Sequence, residues 1–170
     1  MSGFESLYRR YARDVYRFAF YLCGEHATAE DITSETFVRA WNASGEIRAS
    51  TAKAYLFAIA RNCYVDGLRR AQSRGGGHVG LDESLADPAA RPDAAAADRS
   101  ELLRVMAALA ELPEVDRTVL LLRTQEELSY EEIAQATGLS LAAVKVKIHR
   151  ARLRLAAWRA AQSPGKGDRQ

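Results

Sequence analysis

Residues 128–154 read LSYEEIAQATGLSLAAVKVKIHRARLR, and this stretch decides the fold that we expect. Ser129 and Glu132 have the spacing of a capping box, in which a hydroxyl and a carboxylate satisfy each other's exposed backbone donors at a helix start. Gly138 can adopt the positive φ that ends this helix in a sharp turn, and Ser140 is placed to cap the next helix. The pattern predicts two short helices joined by a tight turn, a helix-turn-helix.

The second of these helices combines an apolar side with strongly basic sides. Its expected buried stripe consists of Val144, Ile148, Ala151 and Leu155. Basic residues occupy two further rows at helical spacing: Lys145, His149 and Arg152 in the first, and Lys147, Arg150 and Arg154 in the second. A helix in the major groove needs such a surface for phosphates and base edges. We therefore predict DNA binding; a solvated basic face on a structural helix is the simpler alternative.

Charge is unevenly distributed along the 170 residues, although the formal net charge is only +2. No acidic residue lies between Glu132 and Asp168, whereas residues 24–41 contain four acids and the single base Arg39. A basic C-terminal block suits a polyanion, and an acidic N-terminal patch suits a different partner.

Helical periodicity also covers the first part of the chain, and the predicted fold class is all-α. One helix is expected to end at Gly24, and a second to start at a capping box formed by Thr28 and Asp31. A third is expected from about Ala52 to Arg70, with Gly67 and Leu68 among its buried residues.

The helical periodicity of apolar residues ends after the third helix, and a stretch rich in Gly, Pro, Ala and Asp follows. Such a composition buries too little apolar surface to offset the entropy of ordering it. We predict two small helical domains, the second starting with Asp98 as N-cap. The expected boundaries are a first domain at 1–71, a flexible acidic linker at 72–97, a second domain at 98–160 and a disordered tail at 161–170.

Several function classes find little support in the sequence. Cys23 and Cys63 lie in apolar helical patterns, which favours reduced core thiols, and no histidine has zinc-ligand spacing to either cysteine. The acidic pairs Glu30–Asp31 and Glu131–Glu132 fall in first helical turns, where carboxylates favour the helix dipole. We expect no enzyme, no metal and no cofactor. Without a signal peptide or a membrane span, we expect a soluble, cytoplasmic protein.

Both blocks resemble the sigma factors of bacterial RNA polymerase, in particular the small extracytoplasmic-function (ECF) group. In the first block, AEDI at 29–32 and ETFVRAW at 35–41 are similar to region 2.2, and YLFAIARN at 55–62 to the promoter-reading helix. In the second block, LSYEEIA at 128–134 and VKVKIHRAR at 144–152 are similar to region 4. A region 2 pattern followed by a region 4 pattern, in a chain of this length, is specific for this group of sigma factors.

The resemblance implies a sigma factor that binds core polymerase, recognises the −10 and −35 promoter elements and aids melting. Its partners would be the beta-prime clamp helices, the beta flap, promoter DNA and an anti-sigma factor. The implied core-binding residues are Asp31, Glu35 and Arg39. The implied −10 contacts are Arg61, Asn62, Asp66, Arg69 and Arg70. The implied −35 contacts are Lys145, Lys147, His149, Arg150 and Arg152.

Two positions depart from the pattern of this family. Tyr55 stands where tryptophan is usual, and Val146 replaces a small polar residue of the recognition helix. The preferred −35 sequence therefore cannot be copied from relatives. A free-standing helix-turn-helix regulator with a helical sensor domain is the alternative reading.

Overall fold

The computed structural model describes residues 3–43, 47–48, 50–75 and 92–163, with backbone alone at 92–95. Within these ranges the regular elements are α-helices, as the sequence predicts. The first block contains α1 (Gly3–Cys23), α2 (His26–Asn42) and α3 (Ala52–Ser73). The second contains α4 (Pro92–Ala110), α5 (Glu114–Thr124), α6 (Tyr130–Thr137) and α7 (Leu141–Gln162). None of the described helices combines the length and the hydropathy that crossing a membrane requires.

The first block packs its three helices around large apolar side chains. Val15, Phe18 and Leu22 recur on one face of α1 and are buried against α3 and α2. Phe18 meets Phe57 of α3 edge to face, with ring centroids 5.2 Å apart. Aromatic pairs in this geometry add to the free energy gained by burial. This contact fixes how α1 crosses α3.

Two details of the first block differ from the prediction. α2 begins at His26 with Glu25 as N-cap, so Thr28 lies inside the helix and forms no capping box with Asp31. The Thr28 hydroxyl instead donates to the Glu25 carboxylate over 3.0 Å. The prediction was wrong because Gly24, at φ 73°, turns the chain so sharply that helix resumes almost at once.

α3 is longer than predicted and is less buried at its end. It continues past Arg70 to Ser73, and Leu68 is 38% exposed while Gly67 is half-buried. The apolar periodicity that begins with Leu56, Ile59 and Cys63 continues in the sequence beyond the helices that α3 packs against. Leu68 follows this periodicity but has no described helix to pack on, so it lies at the surface.

The second block starts earlier than Asp98. α4 begins at Pro92, because proline is favoured at the first helical position and the alanines at 94–97 have high helix propensity. Both edges of the predicted linker 72–97 are thus helical, and its middle, 76–91, lies outside the described residues. At the other end α7 reaches Gln162, and the predicted tail is outside the described residues from 164 onward.

The two blocks also pack on each other, which the sequence did not predict. Helices α1 and α3 contact α5 and α6 respectively, and the buried side chains of both blocks form one continuous core. Arg117 of α5 donates from Nη1 to the backbone carbonyl of Leu22 over 2.6 Å. Leu22 lies in the last turn of α1, where carbonyls lack a partner within the helix. The contact therefore satisfies an otherwise free acceptor across the junction.

A buried carboxylate lies at the same junction. The Glu126 side chain is 1% exposed, with Arg17 of α1 3.5 Å away and Lys53 of α3 3.9 Å away. Its Oε1 atom accepts no hydrogen bond from the described residues. Burial is the main cause that raises the pKa of Glu126, and the two cations oppose it. The ion pairs thus offset only part of the desolvation cost of this charge.

We predict that Glu126→Gln leaves the free energy of unfolding at pH 7 unchanged or raises it by up to about 1 kcal/mol. The raised pKa means that the folded chain binds a proton more readily than the unfolded chain. Wild-type stability therefore decreases as pH rises through this titration, and the Gln variant loses that component. Urea unfolding at pH 5 and pH 7 measures both effects.

Glu127→Gln is the matched control, because Glu127 is the exposed neighbour and should leave the pH dependence unchanged. A Glu126→Gln variant that is clearly less stable than wild type at pH 7 would contradict the account.

Candidate nucleic-acid interface

The helix-turn-helix has the local geometry that its sequence predicts. The backbone N–H of Ser129 donates to Glu132 Oε2 over 2.7 Å, and the N–H of Glu132 donates to Ser129 Oγ over 3.1 Å. Gly138 ends α6 at φ 72°, and the N–H of Ala143 donates to Ser140 Oγ over 3.1 Å. These caps fix the start of α6, the turn and the start of α7, and the predicted capping box is confirmed.

Burial on one side orients α7. Val144, Ile148 and Ala151 are fully buried against α5 and α6, and Leu155 is partly buried, as predicted. Because these residues lie on one side of the helix, the remaining sides face outward. The basic residues of α7 are held on those sides.

An ion pair fixes α7 further. Asp116 of α5 is fully buried and accepts hydrogen bonds from Nε and Nη2 of Arg150, each 2.7 Å long. Lys147 Nζ lies 3.8 Å from the same carboxylate. The Arg150 hydrogen bonds are the main cause that lowers the pKa of Asp116, so the carboxylate stays charged. Arg150 therefore ties α7 to α5, whatever else it contacts.

The predicted −35 residues fall into two environments. Lys145, His149 and Arg152 are exposed, and no ion pair joins them to the described part of the chain. Lys147 and Arg150 turn toward Asp116. The structure thus separates the first basic row, for which the described residues provide no ion pair, from the second row, in which Lys147 and Arg150 pair with Asp116.

The predicted −10 residues mostly share one side of α3. Asn62, Asp66 and Arg69 follow one another at steps of four and three, and Asn62 and Arg69 are exposed. Arg70 is exposed beside them. Arg61 lies about 100° around the helix from Asn62, and its Nε is buried without a hydrogen bond to the described residues. The structure therefore does not bring Arg61 onto the side occupied by the others.

The predicted core-binding residues lie beside this side of α3. Asp31 and Glu35 are exposed on α2. Arg39 donates to Glu35 over 2.8 Å and to Asp66 of α3 over 3.4 Å, so it joins the two predicted sets. All three α2 residues line a cleft of about 1130 Å³ that also includes Met106 of α4 and residues of α5. The second block therefore borders the predicted core-binding side.

Three charged residues that organise these surfaces were not predicted from the sequence: Asp116, Arg117 and Glu126. Asp116 carried a signal, since it lies one turn before Val119 and Leu120, which are both apolar and buried. A single acid at such a position predicts a buried partner on another helix. Arg117 and Glu126 carried no comparable signal, because Leu22, Arg17 and Lys53, which they contact across the junction, belong to the other block.

The fold and the site together define a class of protein. A helix-turn-helix with an outward basic helix, joined to a second helical block with its own basic end and acidic side, is typical of a DNA-binding protein. Two family models match the same two blocks. Residues 7–74 match sigma-70 region 2, and residues 102–155 match sigma-70 region 4.

Curated relatives cover nearly the whole chain. The RNA polymerase sigma factor YlaC of Bacillus subtilis is 34% identical over 155 residues, which are 89% of this chain and 88% of that protein. The ECF RNA polymerase sigma factor SigL of Mycobacterium tuberculosis is 35% identical over 147 residues, covering 85% and 81%. The chain belongs to the sigma-70 family, as an ECF sigma factor that directs transcription initiation.

Solved structures share the fold. The sigma factor RpoE of Bartonella quintana, in complex with the anti-sigma factor NepR, matches with a TM-score of 0.77 at 23% identity over 96% of this chain and all of that chain. CnrH, in complex with the cytosolic domain of CnrY, matches with a TM-score of 0.69 at 28% identity, covering 94% and 89%. The all-α arrangement of the two blocks is thus found in both proteins.

We predict that Asp116→Asn lowers the free energy of unfolding at pH 7 by about 2 kcal/mol, because Arg150 loses its charged acceptor. The lowered pKa means that this stabilisation is present above the ordinary Asp range near pH 4 and is lost as pH falls through the folded value. The difference between variant and wild type should therefore shrink in acid. Denaturant unfolding measures it, with the exposed Glu111→Gln as control. Equal stability of Asp116→Asn and wild type at pH 7 would show that the ion pair does not hold α7.

Proposed function

We propose that this sigma factor contacts promoter DNA at two separate places, through α7 at the −35 element and through α3 at the melted −10 element. The observation that carries the proposal is the exposed basic row of α7, Lys145, His149 and Arg152, on a helix that its buried stripe anchors to the second block. Lysine and arginine on such a helix contact phosphates, and those near its start reach base edges. No acidic residue from 133 to 163 opposes a polyanion there.

For the −10 element we propose Asn62, Arg69 and Arg70 as contacts to the displaced strand, with Asp66 held in place by Arg39. Amide and guanidinium groups on one exposed helix side can bind bases and backbone of single-stranded DNA. Arg61 is proposed with them, although its buried Nε requires its side chain to rearrange. Melting is then driven by the binding of the separated strand, without any catalytic group.

We propose that core polymerase binds α2 through Asp31 and Glu35, with Arg39 orienting Glu35. The two acids are exposed and adjacent on one side of the helix, which suits a basic surface such as the beta-prime clamp helices. The second block is proposed to bind the beta flap. A protein that works on polymerase acts in the cytoplasm.

The two blocks must separate for both contacts to form at once. The −10 and −35 elements are about 25 base pairs apart, which is roughly 85 Å at 3.4 Å per step. A packed chain of this length has a radius of gyration of about 15 Å. We propose that the packed arrangement is the form of the free chain and that polymerase holds the blocks apart.

An anti-sigma factor is proposed as the second partner. CnrH was solved in complex with the cytosolic domain of CnrY. In this chain the α2 acids and the second block border one cleft, so a protein seated there would cover the proposed polymerase-binding side and keep the blocks together.

The proposal is tested with two variants, one expected to lose binding to core polymerase and the other expected to lose binding to the upstream promoter element. Asp31→Ala combined with Glu35→Ala should weaken association with core polymerase, measured by fluorescence anisotropy, whereas Lys145→Ala should leave it unchanged. Lys145→Ala should instead weaken holoenzyme binding to the upstream element and reduce the salt slope by about 0.9. Glu30→Ala, on another side of α2, is the matched control for the double variant.

Run-off transcription completes this test, because only a sigma factor makes core polymerase start at a promoter. A chain that binds promoter duplex tightly by itself and never associates with core polymerase would support the free-standing regulator instead.

We predict that Asn62→Ala impairs open-complex formation and leaves core association and −35 binding intact, because Asn62 is exposed on α3, whereas the residues proposed for those contacts lie on α2 and α7. Permanganate reactivity of thymines in the melted strand measures opening. Gln72→Ala, an exposed change at the end of the same helix, is the control. Melting that is unchanged in Asn62→Ala would remove Asn62 from the site.

A further inference from the structure

A stripe of exposed apolar side chains runs along the outward side of α7. Val146 is 61% exposed and Leu153 is 58% exposed, and Ala142 is exposed as well. The three residues are spaced at i, i+4 and i+11, so they lie on one side of the helix. We call Ala142, Val146 and Leu153 the apolar stripe.

The apolar stripe lies opposite the buried stripe and between the two basic rows. At 100° per residue, Val146 is about 200° around the helix from Val144, the first of the buried residues. Lys145 and His149 lie to one side of it, and Lys147 and Arg150 lie to the other. The part of α7 that points most directly away from the protein is thus apolar, with cations along both edges.

This arrangement matches the cross-section of a major groove. Cations at the edges of a helix meet the phosphates on either side of the groove, while the centre of the helix meets the base edges. A valine neither donates nor accepts a hydrogen bond. On the base edges of the major groove the apolar group is the C5-methyl of thymine.

Position along the helix decides which member of the stripe can reach the bases. Residues near the start of a recognition helix contact base edges. Val146 falls within the first two turns of α7, which begins at Leu141, whereas Leu153 lies about 10 Å further along the axis. Ala142 is in the first turn but has only one methyl group.

We propose that Val146 is a specificity-determining residue that packs against the C5-methyl of thymine in the −35 element. This inference rests on the proposed −35 function of α7. It predicts that the preferred upstream element contains at least one thymine, on either strand, whose methyl group adds to affinity. Removing that methyl should cost about threefold to fivefold in binding, the usual effect of one buried carbon.

The test replaces thymine by deoxyuridine, which removes the methyl group and leaves every hydrogen bond in place. Holoenzyme made with the full chain first selects its preferred duplex from a pool with a randomised upstream element. The selected duplex is then prepared with uracil at one upstream thymine at a time. Binding is measured for wild type, Val146→Ala and, as matched control, Leu153→Ala, which shortens an equally exposed side chain outside the proposed contact.

The expected result is a threefold to fivefold loss at one or two positions for wild type and Leu153→Ala. Val146→Ala should bind the thymine duplex more weakly by a similar factor and should not respond to uracil. Wild-type binding that is insensitive to uracil, or a selected element without thymine, overturns the inference while leaving the −35 function intact. Failure of wild-type holoenzyme to select any upstream element overturns the proposed function itself.

A second copy of the chain is the other possible occupant of the apolar stripe. Sedimentation of the free chain distinguishes the two occupants. The thymine contact is contradicted if the wild-type chain self-associates, Val146→Ala abolishes this self-association, and the Val146→Ala holoenzyme still loses affinity on uracil substitution as wild type does.

Discussion

The Asp116 carboxylate, buried beneath α7, is the constraint on which the proposed DNA interface depends. A charge in this position is costly unless it is paired and hydrogen-bonded, and Arg150 and Lys147 of α7 supply the pairing. The same contact sets the rotation of α7, so that Lys145 and Val146 point outward. Stability and the proposed DNA recognition are therefore coupled here: two of the five residues proposed for the −35 element, Lys147 and Arg150, also neutralise the carboxylate that holds their helix in place.

A second buried carboxylate, that of Glu126, differs from Asp116 in its pairing and in the direction in which its pKa is shifted. Glu126 lies between the blocks with two cations at ion-pair distance but with an oxygen that accepts no hydrogen bond from the described residues. Burial raises its pKa, whereas the hydrogen bonds of Arg150 lower that of Asp116. The Asp116 carboxylate, within the second block, is thus fully paired, whereas the Glu126 carboxylate, between the blocks, lacks a hydrogen bond to one of its oxygens within the described part of the chain. A junction of this kind suits the proposed separation of the two blocks on polymerase.

Local patterns allowed much of the fold to be predicted from the sequence. The caps at Ser129 and Ser140, the turn at Gly138 and the buried stripe of α7 depend on residues close in sequence, and each was predicted. The errors have other causes. The start of α2 depended on the sharp turn at Gly24, and exposure of Leu68 depended on where neighbouring helices end. The packing of the blocks depends on pairs such as Arg117 with Leu22, which are far apart in sequence and follow no periodic pattern.

The central claim is that one chain touches a promoter at two distant places when it is bound to polymerase. Photo-crosslinking tests it most directly, with a crosslinker placed at position 145 in one holoenzyme and at position 62 in another on the same promoter. The account predicts crosslinks near −35 in duplex DNA from position 145 and near −10 in the melted strand from position 62. Crosslinks from both positions to the same element, or from neither position in an active complex, would contradict it.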